Sequence, residues 1–250
     1  MGRHCARTLS GWWVVVAASA GCHADDKTHP IIPGGPVGPV GVPQADARVN
    51  DAATDSATLR GRVCLVADLR DVSACASAGA GGLIVALGTR TATTAENGEF
   101  SMAAPAGSSL VWRVTGDAIR PTQAPYSAAS TIPVIAAADY EQLASENGVL
   151  EVAAQGAIVA HVVAEGLPVK GATATTSPIA AYPALYDGAA ARLWTQNETG
   201  DHGAIWIPEL PVGTATLAVS PAGKTAQLFA GIPVADAALT FVTVELAPSE

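Results

Sequence analysis

Charge and aromatic surface are both scarce in this chain. Of its 250 residues only 14% are charged and 5% aromatic, and 13 Lys and Arg face 22 Asp and Glu. A formal net charge of -9 leaves no basic patch, which excludes nucleic acid as a partner and gives an anionic membrane surface nothing to attract. Histidine is rare too, at 5, and no His-Glu-x-x-His or comparable ligand cluster is present. Neither a Gly-x-Ser-x-Gly elbow nor a Gly-rich phosphate loop occurs. The residues supply no catalytic constellation, so the expectation is a non-enzyme without a metal or other cofactor. No apolar run approaches the roughly 20 residues that a membrane-spanning helix needs.

What the chain has in quantity is small and β-branched residues. Hydrophobic residues make up 49%, dominated by Ala and Val, with 25 Gly and 17 Pro between them. That mixture favours many short strands over long helices.

The first residues, "MGRHCARTLSGWWVVVAASAGC", have the three parts of an export signal: Arg3 and Arg7, a short apolar run from Trp12 to Ala20, then small residues. Losing residues 1–21 removes two positive charges and no acid, which takes the net charge from -9 to -11. "SAGC" resembles a bacterial lipobox, in which Cys22 would carry lipid. The lipobox pattern prefers Leu where this chain has Ser19, and ordinary cleavage after Ala20 is the alternative. Residues 22–57 are polar and rich in Pro and Gly, the composition of a disordered tether. The localisation expected is therefore export, with the protein held at the outer membrane or cell surface by the lipid. A soluble periplasmic or secreted form is the alternative. With Cys5 in the signal and Cys22 assigned to lipid, Cys64 and Cys75 remain, and in an oxidising compartment they form a disulfide.

The body of the chain writes one pattern twice. "GEFSMAAPAGSSLVWRV" at 98–114 and "GAIWIPELPVGTATLAV" at 203–219 place apolar residues at alternate positions, which is strand periodicity. Aligning Gly98 with Gly203 puts Phe100 over Ile205, and beyond the turn Trp112 over Leu217 and Val114 over Val219. Pro105-Ala106-Gly107 and Pro211-Val212-Gly213 fill the turn, and the two runs around it are expected to make a hairpin. The domains predicted are a signal at 1–21, a tether at 22–57, a first β-sandwich at 58–137, a connecting helix at 138–149 and a second β-sandwich at 150–250. Tyr140, Leu143 and Ala144 share one face of that helix, and Asn147-Gly148 ends it.

"GLPVKGATATT" followed by "TGDHGAIWIPELPVGTATLAV" resembles the carboxypeptidase regulatory-like domain, a transthyretin-like sandwich. The residues that carry the likeness are Pro168, Gly171, Ala172, Gly203, Ile205, Leu210, Pro211 and Gly213. The first copy keeps "NGEF" and "APAG" and lacks the Pro-x-x-Gly-Ala turn. The resemblance implies an all-β fold of two tandem transthyretin-like or Ig-like sandwiches with a structural or interaction role. Partners would be the membrane, through the N-terminal lipid, and a polysaccharide or another envelope protein.

A carbohydrate-binding module is the alternative function, with Tyr182, Tyr186, Trp194 and Trp206 as a stacking platform. Against it stands the alternation of Trp206 with Ile205 and Ile207, which turns Trp206 away from the sandwich interior or over an edge, while Trp194 packs inward. Asp68 and Asp71 are the carboxylates considered for calcium, and His161 and His202 the pair considered for another metal. Two carboxylates fall far short of six or more oxygens. A third option is an accessory domain for a separate secreted hydrolase.

Overall fold

In the computed structural model strands form in both copies, and most of them recur in the same order. It describes residues 57–74, 76, 78, 80–105, 110–127, 130–190, 192–195 and 197–247, so the signal, all of the tether but its last residue, Cys22 and Cys75 lie outside the described residues. The first copy contributes β1 (Thr58–Leu65), β2 (Ile84–Leu87), β3 (Arg90–Thr93), β4 (Glu99–Ala103), β5 (Val111–Thr115), β6 (Thr122–Pro125) and β7 (Ser130–Val134). A helix, α1 (Ala137–Glu146), follows. The second copy contributes β8 (Gln155–Ala164), β9 (Leu167–Pro168), β10 (Thr173–Ser177), β11 (Leu185–Asp187), β12 (Trp194–Thr195), β13 (Ala204–Pro211), β14 (Gly213–Ser220), β15 (Gln227–Val234) and β16 (Leu239–Glu245).

Six strands of each copy repeat one topology. β1 lies between antiparallel β4 and parallel β7, and β8 lies between antiparallel β13 and parallel β16. Opposite them, β5 lies between antiparallel β2 and β6, and β14 between antiparallel β10 and β15. Each copy is thus a sandwich, and the fold is all-β with one short helix.

The runs around the Pro-x-Gly turn do not form the hairpin expected of them. β13 pairs with β8 and β11, while β14 pairs with β10 and β15. In the first copy β4 and β5 part in the same way. Each repeat is an arch that steps from one sheet to the other. Burial explains the choice, because Ile205, Ile207 and Leu210 on β13 face Ala215, Leu217 and Val219 on β14 within one core. Side by side in one sheet, the two faces could not cover each other.

The sandwiches are sewn together. β16 meets β6 in parallel at Leu239↔Thr122 and Thr240↔Gln123, and Leu239 N–H donates to Pro121 O at 2.8 Å. One ten-stranded sheet results, in the order β12-β11-β13-β8-β16-β6-β5-β2-β3, with β9 beside β8. All described elements belong to one compact unit, Ala53–Glu250.

The helix stops where the sequence says. Gly148 takes φ +68°, its N–H donates to Ser145 O at 3.2 Å, and Val149 N–H donates to Ala144 O at 2.9 Å. That pair of bonds is a Schellman closure, which glycine allows without a Cβ clash. Tyr140, Leu143 and Ala144 are its buried face.

Candidate functional site

Among the described residues there are three cores, and the third belongs to both halves. One lies inside the second sandwich and one inside the first. The third lies on the outer face of β8, β13 and β16, where Val159, Phe241 and Trp206 point away from Ile205 and Ile207. Helix α1 covers that face with Tyr140 and Leu143, and the loop after β1 covers it with Val66 and Leu69. Trp206 is 0% exposed and meets Tyr140 and Trp194 edge-on, with ring centroids 5.8 and 5.6 Å apart. The corresponding face of β4-β1-β7 instead presents Arg60, Glu99 and Ser101 to solvent, with Arg62 half-buried.

Polar groups clamp the same joint. Arg70, 6% exposed, holds Asp68 by both carboxylate oxygens at 2.6–3.0 Å. Its remaining nitrogen reaches the second sandwich, donating to Gly188 O at 3.0 Å and Ala190 O at 2.5 Å. Burial alone would raise the Asp68 pKa, but hydrogen bonds from Arg70 and its charge bring the carboxyl below its ordinary value. Asp187, also buried, accepts N–H groups from Gly200, His202 and Ala204 at 2.8–2.9 Å, fixing the turn that enters β13. His161 Nε2 lies 3.1 Å from Leu69 O, and burial pushes its pKa below the ordinary imidazole value. Arg120 adds a salt bridge to Glu151 at 2.9 Å and stacks 4.7 Å from the Tyr140 ring centre.

Glu209 is a buried carboxyl that sequence patterning missed. It sits at φ +56° in the register shift of β13 between Ile207 and Leu210, is 4% exposed, and accepts Val152 N–H at 2.8 Å. Burial raises its pKa, with the Val152 bond opposing. A carboxyl protonated more readily in the folded than in the unfolded chain contributes most below the ordinary carboxylate range and loses that contribution as pH rises. Glu209→Gln keeps the acceptor and removes the charge. Its thermal midpoint should exceed wild type at pH 7 and converge with it near the pH where Glu209 is protonated; an equal or lower midpoint at pH 7 would contradict the charge argument.

Three of the four aromatics proposed as a platform are buried. Trp206 and Trp194 lie in the shared core, and Tyr186 in the core of the second sandwich. The Tyr186 hydroxyl accepts Ala174 N–H at 2.9 Å. Tyr182, half-buried, donates its hydroxyl to Gly148 O and ties its loop to the helix end. Trp206 does face away from the sandwich interior, as alternation requires, but the helix seals the face it occupies. A sugar platform needs exposed rings, and burial withdraws three of these four. Nor are the calcium candidates available. Asp68 is engaged by Arg70, and Asp71 accepts the Ser73 hydroxyl at 2.6 Å along with the Ser73 and Ala74 N–H groups. Among the described residues no three His, Cys, Asp or Glu gather as metal ligands. No helix among them is long and apolar enough to cross a membrane. Cys64 is 1% exposed on β1, and Ala76 N–H donates to Leu65 O at 3.0 Å, so the chain beyond Cys75 returns beside Cys64.

One opening remains at the seam. A cleft of about 610 Å³ lies where β16 and β6 diverge, lined by Trp112, Tyr126, Ile132, His161, Phe241 and Thr243 among others.

No protein-family model matches the chain, and no curated protein does. Among solved structures it is similar to GBS52, the minor pilin of the Gram-positive pathogen Streptococcus agalactiae, at 11% identity and TM-score 0.26 over 77% of this chain and 99% of that one. It is also similar to the Bacillus anthracis TIE protein, at 11% identity and TM-score 0.24 over 77% of this chain and 34% of that one. The shaft pilin spaA from Lactobacillus rhamnosus GG follows at 8% identity and TM-score 0.21, over 77% and 98%.

Proposed function

We propose that this is an exported lipoprotein whose paired sandwiches serve as a non-catalytic scaffold and interaction module at the cell envelope. The observation that carries the reading is the seam. A shared sheet, a shared core and the Arg70 clamp hold two repeats as one body, and the buried polar groups described above serve turns and contacts between the halves. Such a body suits holding parts at a fixed spacing. The finer assignment to carboxypeptidase regulatory-like domains is supported by where the motif residues fall. Gly171 and Gly203 take φ +78° and +63°, and Pro211 and Gly213 flank the arch.

Anchoring is through lipid on Cys22, with the tether expected over 22–57 between membrane and β1. Metabolic labelling with a radioactive fatty acid tests it. Wild type should take up label and Cys22→Ser should not, and equal labelling would overturn the anchor. Oxidation of Cys64 and Cys75 to a disulfide belongs to the same reading, supported by the Ala76–Leu65 hydrogen bond. Mass spectrometry without reductant should find the peptide pair two hydrogens light (one disulfide); two free thiols would remove the claim.

A further inference from the structure

The seam closes over only two residue pairs. β16 runs beside β8 from Leu239↔Ala157 to Glu245↔Val163, yet beside β6 it pairs only at Leu239↔Thr122 and Thr240↔Gln123. Beyond Thr240 the cleft of about 610 Å³ opens between them.

The free edge of β16 faces that opening. Leu239 N–H donates across the seam to Pro121 O, whereas Leu246 N–H donates the other way, to Val163 O beyond the end of β16. Backbone direction alternates along a strand, so Thr243 and Glu245 share the orientation of Leu239. Among the described residues no strand pairs with them on that side. Thr243 is exposed, so solvent reaches its edge. On the facing strand Pro125 has no N–H to offer, which leaves β16 as the side able to donate.

The lining includes Trp112, Ile132 and Phe241, and it contains no Asp, Glu, Lys or Arg. A charged segment would lose its hydration there without a counter-charge. At ordinary strand and sheet spacings one residue of a strand fills roughly 160 Å³, so the cleft takes about four.

We infer that this opening receives an extended, uncharged segment of a partner protein, about four residues long, which adds to β16 and continues the ladder that β6 begins. Alternate side chains of the segment, apolar ones, enter toward Trp112, Ile132 and Phe241; the others, small and polar, face solvent. Main-chain bonds give affinity and the apolar pockets select the sequence, as in other strand-addition complexes. The site does not depend on the lipid. Loss of fatty-acid labelling and loss of peptide binding are separate results, so either reading can fail alone.

The test uses the full chain and a set of blocked hexapeptides that alternate Val, Leu or Phe with Thr or Ser, read by amide hydrogen exchange. At least one peptide should slow exchange at Thr243 by about tenfold or more, and its backbone N-methylated analogue should not. Thr243→Pro removes the edge N–H, and Ser73→Trp fills the cleft from the exposed loop without touching the strand; each should weaken binding by about tenfold. If Thr243→Pro does not fold, Ser73→Trp decides. The inference is overturned if no peptide protects Thr243, if the N-methylated analogue protects equally, or if the folded variants bind as wild type does.

Discussion

Gly203→Ala should destabilise the protein by about 3 kcal/mol, and Gly98→Ala should do nearly the same. The two positions are equivalents in the repeat, and the structure treats them identically. Gly98 has φ +78° and Gly203 φ +63°, a region where an L side chain costs about 1–2 kcal/mol. A Cβ on Gly98 would stand 2.3 Å from Val63 O, and one on Gly203 would stand 2.6 Å from Val162 O. Both obstacles are backbone, which cannot swing aside as a flexible side chain can, and forced overpacking of this kind costs about 1–3 kcal/mol. The same valines donate their N–H groups back to Gly98 O and Gly203 O, each at 2.8 Å, so relieving the clash strains a ladder bond. In a domain of this size about 3 kcal/mol lowers the thermal midpoint by roughly 6–12 °C. Calorimetry checks it, and a loss under about 1 kcal/mol at either site would mean that the turn has room the geometry denies.

Trp206→Ala should cost about 3–5 kcal/mol, the range for removing a fully buried large aromatic. The ring is held between Tyr140 and Trp194, in the core that helix α1, the first-copy loop and the second sandwich build together. Its loss empties the middle of the joint, so the two halves should also unfold less cooperatively. Denaturant titration followed by tryptophan fluorescence and by far-ultraviolet dichroism should give transitions that no longer coincide. Leu228→Ala, at a side chain 72% exposed, is the control and should stay within about 0.5 kcal/mol of wild type. A Trp206→Ala variant as stable as that control would refute the shared core.

Much of the fold was legible because strands and turns are local. Phe100, Met102, Ile205 and Ile207 announce alternation, Gly98 and Gly203 announce the turns before it, and Asn147-Gly148 announces the helix end. The arch was not legible, since period-two patterning says which face of a strand is buried and not which strand lies beside it. The third core was hidden for a related reason. Alternation turned Trp206 away from the sandwich interior, and only the long-range return of α1 and the loop at 66–72 makes the side it shares with Val159 and Phe241 dry. Arg70 was equally silent, because its acceptors, Gly188 O and Ala190 O, are backbone atoms more than a hundred residues away. Glu209 carried no signal beyond its neighbours Pro208 and Pro211, since a register shift is decided by pairing.

The solvent-facing side of β4-β1-β7 has a consequence for how modules are joined in such a chain. Where the second repeat offers Val159, Phe241 and Trp206, the first offers guanidinium, carboxylate and hydroxyl groups on Arg60, Glu99 and Ser101. A further module laid upstream in the same manner would have to strip water from those groups without replacing their hydrogen bonds. The first repeat therefore does not offer on this face the apolar surface by which the second repeat receives its neighbour.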